Sequence, residues 1–322
     1  MEYGQLPGID KPISRIVQGT VMISTDTLDD SFALLDAVFE GGCTTFDTAH
    51  GYGSGKVERA LGQWIESRGI RDQVVILTKG AHHNQDRKRV TPHDITSDLY
   101  DSLARLRTGY IDLYILHRDD PEAPVGPIVE ALNTFYEEGL VHAFGGSNWT
   151  TGRIQQANDY AVGHGLKPFI ASSPNFSLAD QYEPPWPDCI SISGAQGEAA
   201  RAWYAESNMA LFTWSSLAGG FFSGRFERDN LDTFDSYADK LVVQSYCGEE
   251  NFKRLDRVQQ LAAEKSLTIP QIATAYVLSY PLNIFALIGS HTPEEFQANH
   301  RAASLKLAPE EIAWLELRSD SR

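Results

Sequence analysis

The chain has little cysteine, a deficit of basic charge and no long apolar run. Its three cysteines, Cys43, Cys189 and Cys247, are isolated, odd in number and without C-x-x-C spacing. That argues against a disulfide framework or a cysteine-based zinc site and fits a reducing compartment. Lysine and arginine number 27 against 43 aspartates and glutamates, a formal net charge of −16. Such a surface repels nucleic acid and anionic lipid, so neither is an expected partner. It does not forbid a phosphorylated cofactor, because a local pocket can be positive on an acidic protein. No apolar run approaches the roughly 20 residues that span a bilayer. The opening MEYGQLPGIDK holds no apolar stretch that could serve as a signal peptide. The expected location is the cytoplasm. No repeat, low-complexity tract or domain boundary interrupts the 322 residues, so one domain over 1–322 is expected.

What the sequence does have is an alternation. Apolar, β-prone runs occur at Ile16–Ile23, Cys43–Phe46, Val74–Leu77, Ile111–Leu116, Val141–Gly145, Phe169–Ala171, Ala210–Trp214 and Phe285–Ile288. Helical periodicity lies between them, as in Leu28–Glu40, where Phe32, Leu35, Val38 and Phe39 share one face. Pro92–Leu106 repeats the pattern with Ile95, Leu99, Leu103 and Leu106. Thr27, Thr91-Pro92 and Thr292-Pro293 mark helix starts, and Gly41-Gly42 and Gly139 mark helix ends. Strands written as continuous apolar runs are buried on both faces. Eight strand–helix units predict an α/β fold, a single-domain (β/α)8 TIM barrel. Two segments break the rhythm: Ser215–Glu250, long enough for a lid or binding loop, and the proline-rich Gln181–Asp188.

Barrel chemistry collects at the C-terminal ends of the strands. Asp47, Lys79 and His117 each follow an apolar run, and Tyr52 sits in the Gly-rich loop after Asp47. A carboxylate, a phenol, an amine and an imidazole there can converge on one point. Negative charge develops on a carbonyl oxygen as hydride reaches carbon, so a proton donor must stand beside it. A phenol has an ordinary pKa near 10, and a neighbouring ammonium draws it down. The four roles are then Tyr52 as acid, Lys79 as tuner, Asp47 as anchor of Lys79, and neutral His117 as orienter of the oxygen.

FDTAHGYGSGKVERALG, VVILTKG, LYILHRDD, FGGSNW, TWSSLAGGFFSGR and LIGSHTPEEFQAN together resemble the aldo-keto reductase family. The resemblance runs from about Ile16 to Leu315 and implies a metal-free, NAD(P)(H)-dependent oxidoreductase. Asp47, Tyr52, Lys79 and His117 match the family's catalytic tetrad. The resemblance further implies cofactor contacts at Gly19, Thr20 and Asp47, a carboxamide pair in Ser147 and Asn148, and a stacking aromatic in Trp214. It places Ser215, Leu217 and Gly219 around the pyrophosphate, with Arg225 as a cationic clamp. Gly289, Ser290, His291, Thr292, Glu295 and Asn299 fall at the adenosine end. The implied partner is a small carbonyl or alcohol, and a homo-oligomer is compatible with it.

Three positions depart from the family's pattern. Ser173 stands where glutamine usually bonds the carboxamide, which shortens or removes that bond. His291 stands where arginine is frequent, and Glu295 where glutamine is common. Arginine is permanently charged and grips phosphate with two bonds, whereas histidine is mostly neutral at pH 7. NAD(H) and NADP(H) are therefore both open. His83, Trp149, Trp186 and Phe222 are candidates for the substrate pocket, with Asn84 beside His83 at its rim. The aromatic, polar loops carrying Trp149, Tyr182 and Trp186 would also suit a sugar or polyol. A cofactor-binding regulatory module like the potassium-channel β-subunits is the alternative from outside catalysis. His82, His83 and His93 complete no recognised metal spacing and read as solvated loop histidines. Trp64 and Trp314 read as helix-packing residues.

Overall fold

The strand order closes on itself. In the computed structural model, which describes residues 1–322, a two-stranded hairpin of β1 (Tyr3–Leu6) and β2 (Ile9–Ser14) precedes an eight-stranded parallel barrel. The barrel strands are β3 (Ile16–Gly19), β4 (Thr45–Asp47), β5 (Val75–Gly80), β6 (Ile111–Leu116), β7 (Val141–Ser147), β8 (Ala171–Ser173), β9 (Ala210–Thr213) and β10 (Ile284–Ile288). The closed order is β10-β3-β4-β5-β6-β7-β8-β9. By contact the chain groups into two compact units, Met1–Ser173 with Gly289–Phe296, and Pro174–Ile288 with Gln297–Arg322.

In the first unit, α1 (Leu28–Glu40), α2 (Lys56–Arg68), α3 (Pro92–Leu106), α4 (Val125–Glu137) and α5 (Thr151–Gly163) alternate with the strands. Their apolar faces are buried as the periodicity predicts: Ile95, Leu99, Leu103 and Leu106 of α3 are all buried. Thr91 caps that helix by accepting from the Asp94 N–H at 3.2 Å. Thr27 stands before α1 without a side-chain cap bond; Ser24 caps the short turn ahead of it instead. Gly62 of α2 lies where a Cβ would sit 2.7 Å from the Arg105 carbonyl oxygen, so α2 and α3 meet backbone to backbone. Trp64 is fully buried, its Nε1 donating to Asp36 at 2.8 Å.

Parallel register aligns the strand ends. Gly19 pairs with Asp47, Asp47 with Leu77, and Lys79 with Ile115. Asp47, Lys79 and His117 thus emerge at one end of neighbouring strands. The hairpin belongs to the other end. Lys11 Nζ donates to the Val74 carbonyl at 2.7 Å and pairs with fully buried Asp112 at 2.6 Å. Arg71 reaches the same carboxylate at 2.8 Å. Gly8 crosses so close to β7 that a Cβ there would stand 2.6 Å from the His142 carbonyl oxygen. The hairpin was not expected from the sequence, because its short strands alternate charge and proline instead of running apolar.

In the second unit, β9 and β10 pair in parallel, and the Phe212 and Phe285 rings stack at 4.8 Å. The unit also holds α6 (Glu198–Ser207), α7 (Tyr237–Tyr246), α8 (Glu249–Lys265), α9 (Ile269–Ser279) and α11 (Pro309–Leu315); α10 (Pro293–Ala303) begins in the first unit. The segment expected as one long loop after β9 contains α7 and two short 3-10 turns, Ala218–Ser223 and Leu231–Thr233. Its missed start signal is Ser236, which accepts from the Asp239 N–H at 3.1 Å. No helix is long and apolar enough to cross a membrane.

Candidate active site

Further backbone bonds tie the ends of β4, β5 and β6 to one another. The Thr48 N–H reaches the Leu77 carbonyl at 2.8 Å, the His50 N–H reaches that of Lys79 at 2.8 Å, and the His117 N–H reaches that of Gly80 at 2.7 Å. Thr20 closes the first step, its Oγ1 donating to the Asp47 carbonyl at 2.8 Å. The loops leaving β4, β5 and β6 are held together before any side chain is considered.

On this frame Lys79 Nζ donates to Asp47 Oδ2 and, at 3.0 Å, to the Thr48 carbonyl. Both side chains of the pair are buried. The Tyr52 ring centroid lies 5.3 Å from the same Nζ. The ring also meets the His117 ring in an edge contact, centroids 5.8 Å apart. All four residues read from the sequence come together.

Burial disfavours the Lys79 charge, but Asp47 and Tyr52 outweigh it and hold the amine above its ordinary value. Tyr52 does not follow the simple expectation that a lysine draws its phenol down. Burial raises it, Lys79 opposes, Asp47 adds to the rise, and the net lies above the ordinary value. The phenol therefore keeps its proton at neutral pH. Burial, with Lys79, His82 and Arg118 adding to it, drives His117 well below its ordinary value, so the imidazole is neutral. Its Nδ1 is buried without a hydrogen-bond partner. A protonated phenol and a neutral imidazole beside one buried ammonium can donate to a single oxygen that gains charge.

The substrate-pocket candidates divide. His83 stays near the site, its Nε2 3.2 Å from the Asp119 carbonyl oxygen. His82, read as a solvated histidine, is partly buried, and its ring stands edge-on to His117 with centroids 4.7 Å apart. The doublet His82-His83 after TKG carried that signal. Asn84 is exposed and builds a turn, its Oδ1 accepting from the Asp86 and Arg87 N–H groups. Trp149 is only 1% exposed. Its Nε1 donates to the Arg118 carbonyl at 3.1 Å and it packs on Phe169, so it supports the loop beside His117 from within and offers no wall. Phe222 is likewise fully buried, edge-on to Phe221, and is no pocket wall. Trp186 is 42% exposed with its ring 6.4 Å from that of Trp214.

Among the cofactor candidates of the first unit, Gly19 pairs with Asp47 and Thr20 is buried beneath it. Ser147 Oγ donates to the Ser173 carbonyl at 2.9 Å and accepts from Asn148 Nδ2 at 3.1 Å. Asn148 adopts φ +58°, a conformation asparagine tolerates, which turns its side chain back over the strand end. Ser173 Oγ is buried with no partner. A nicotinamide carboxamide would supply the donor that this oxygen lacks, so the residues present fit that group. Gly289 passes the Met22 side chain closely, and the carbonyl of buried Ser290 accepts from Gln18 at 3.1 Å. His291 and Glu295 are exposed. The His291 N–H donates to Glu295 Oε2 at 2.7 Å while the Glu295 N–H donates to Thr292 Oγ1 at 3.2 Å, a reciprocal cap on α10.

In the second unit, Trp214 is partly exposed and its indole N–H is without a partner. The turn that follows uses left-handed backbone at Ser215, Ala218, Gly219 and Gly220, and the Leu217 carbonyl accepts from Gly220 and Phe222. Arg225 is exposed and already paired with Asp239 at 2.7 Å, so a clamp would have to exchange that partner. Asn299 is buried on α10.

This barrel with its strand-end tetrad agrees with comparison to known proteins. The model of the aldo/keto reductase family matches residues 15–317. The chain belongs to that family of oxidoreductases. A probable aryl-alcohol dehydrogenase of Saccharomyces cerevisiae is 28% identical over 89% of this chain and 87% of its own length. An NADP(+) aryl-alcohol dehydrogenase of Phanerodontia chrysosporium is 26% identical over 96% and 83%. Among solved structures, a glycerol dehydrogenase from Gluconobacter oxydans superposes with a TM-score of 0.78 at 21% identity, covering 97% of this chain and 93% of that one.

Proposed function

We propose that this protein interconverts a small aldehyde or ketone and its alcohol using NADP(H) or NAD(H), with Tyr52 as the general acid and base. The observation that carries the reading is the buried Lys79 ammonium, bonded to Asp47 and placed 5.3 Å from the centre of the Tyr52 ring. The bound cofactor supplies or accepts the hydride. Ser147, Asn148 and Ser173 would hold its carboxamide, with Trp214 against the ring. Ser215, Leu217 and Gly219 would lie along its pyrophosphate. Gly289, Ser290, His291, Thr292, Glu295 and Asn299 would lie at its adenosine end.

In reduction, Tyr52 donates its proton to the carbonyl oxygen as charge accumulates there. Lys79 stabilises the phenolate that remains, and Asp47 keeps Lys79 charged and aimed. Neutral His117 donates to the same oxygen and fixes its direction. The imidazole edges of His82 and His83 beside this point suit a flat aryl carbonyl. The names of the two aryl-alcohol dehydrogenases support that substrate class. Tyr52→Phe keeps the ring and removes the proton. With an aromatic aldehyde and reduced cofactor, turnover should fall by about 10²–10⁴-fold while cofactor binding is retained. Undiminished reduction by the variant would remove Tyr52 from the acid's role.

A further inference from the structure

One buried carboxylate beside the site has no part in the roles above. Asp98, on α3, is 1% exposed. Its Oδ2 accepts the Ala81 N–H at 2.8 Å and Arg89 Nη1 at 3.1 Å, and its Oδ1 accepts Arg89 Nη2 at 2.6 Å. His50 Nε2 lies 3.7 Å from the same Oδ1 and is hydrogen-bonded to Asp101 Oδ2 at 3.1 Å. Gly80 completes the contact: a Cβ there would stand 3.0 Å from the Cβ of Asp98 and would collide with the Tyr114 hydroxyl.

These partners belong to two catalytic loops. Gly80 and Ala81 directly follow Lys79, and the next residue, His82, packs edge-on against His117. Ala81 has φ +60°, a left-handed conformation that costs an alanine about 1–2 kcal/mol. The Asp98 bond to its N–H offsets that strain. Arg89 lies at the far end of the same loop, so its bidentate pair with Asp98 staples both ends to α3. His50 stands two residues before Tyr52, and its own N–H is bonded to the Lys79 carbonyl.

We propose that Asp98 is a positioning residue for catalysis, a hub on α3 that fixes the Tyr52 loop through His50 and the Lys79–His82 turn through Ala81. It touches no reacting atom. It sets the turn from which Lys79 reaches Tyr52 and His82 backs His117. The inference rests on the proposed role of Tyr52 for its kinetic consequence, but not for its structural one.

The test compares Asp98→Ala with the double variant Asp98→Asn/Arg89→Gln in the full-length protein. The double variant keeps an acceptor for Ala81 and replaces the ion pair by a neutral amide pair. Asp98→Ala should lower kcat for carbonyl reduction by up to about a hundredfold, the scale set by a misplacement near 1 Å. Cofactor affinity should stay near wild type, and the double variant should recover most of the kcat. Amide hydrogen exchange should quicken in two segments at once, His50–Tyr52 and Gly80–His83. A stably folded Asp98→Ala with wild-type kcat would overturn the proposal, as would faster exchange confined to one segment. If the wild-type protein reduces no carbonyl, the functional reading fails by itself, and the paired exchange response still decides whether Asp98 joins the two loops.

Discussion

The Tyr52 and His117 rings meet nearly at right angles, 79° between planes, with the Lys79 ammonium on the tyrosine's side. Only one of these three groups carries charge at neutral pH. The donors are thus electrically distinct: a phenol kept protonated by burial, and an imidazole kept neutral by burial and neighbouring cations.

Replacing Lys79 by Met should separate chemistry from stability. The phenol loses the stronger of the two cations that draw it down, Lys79 and Arg118, so the pH at which alcohol oxidation becomes rapid should move alkaline. Asp47 is left buried without its partner, which costs about 3–5 kcal/mol. Lys79→Met/Asp47→Leu should regain much of that stability and none of the activity, as measured by denaturant unfolding and a pH–rate profile.

His117 sets a sign for stability against pH. Its folded pKa lies well below 6.5, so below pH 6.5 the unfolded chain binds a proton that the folded chain refuses. Folding stability should therefore be unaffected by this group above pH 6.5 and fall as pH drops below it. The slope approaches about 1.4 kcal/mol per pH unit. His82, lowered by burial, adds to the same trend. His117→Gln should flatten the curve of unfolding free energy between pH 6.5 and 5; an unchanged slope would contradict the assignment.

The adenosine end predicts a cofactor switch. Glu295 holds the His291 N–H, and on the proposed reading both residues lie at the adenosine end of the cofactor. His291→Arg/Glu295→Gln keeps the amide acceptor for the cap and exchanges a carboxylate for a guanidinium. The ratio of kcat/KM for NADPH to that for NADH should rise about tenfold or more, the worth of one charge-assisted bond.

At the other end of the barrel, Lys11→Met removes one of the two cations on buried Asp112. Unfolding free energy should fall by about 1–3 kcal/mol, with kcat unaltered, since no group of the tetrad touches Lys11.

The strands and the tetrad were legible because both are local patterns: an apolar run, then a polar residue where it ends. Ile111–Leu116 coincides with β6, and the other barrel strands begin or end within a few residues of their apolar runs. What escaped depends on partners distant in sequence. Asp98 looks like a surface residue of α3 until Ala81 and Arg89 fold over it. Trp149 and Phe222 carry the composition of pocket walls, but burial is decided by what covers them. The direction of the Tyr52 shift was missed for the same reason: Lys79 is visible in the sequence, whereas the depth of the site is not.

The hairpin at the base of the barrel gives this chain a division of labour. Its anchors, Lys11, Arg71 and Asp112, lie at the strand starts, away from the loops that carry the tetrad. Loop sequences around His82 can then drift while the opposite rim holds the scaffold. Directed evolution should find gains in thermal tolerance at the hairpin and changes of specificity at the loops, with little trade between the two sets.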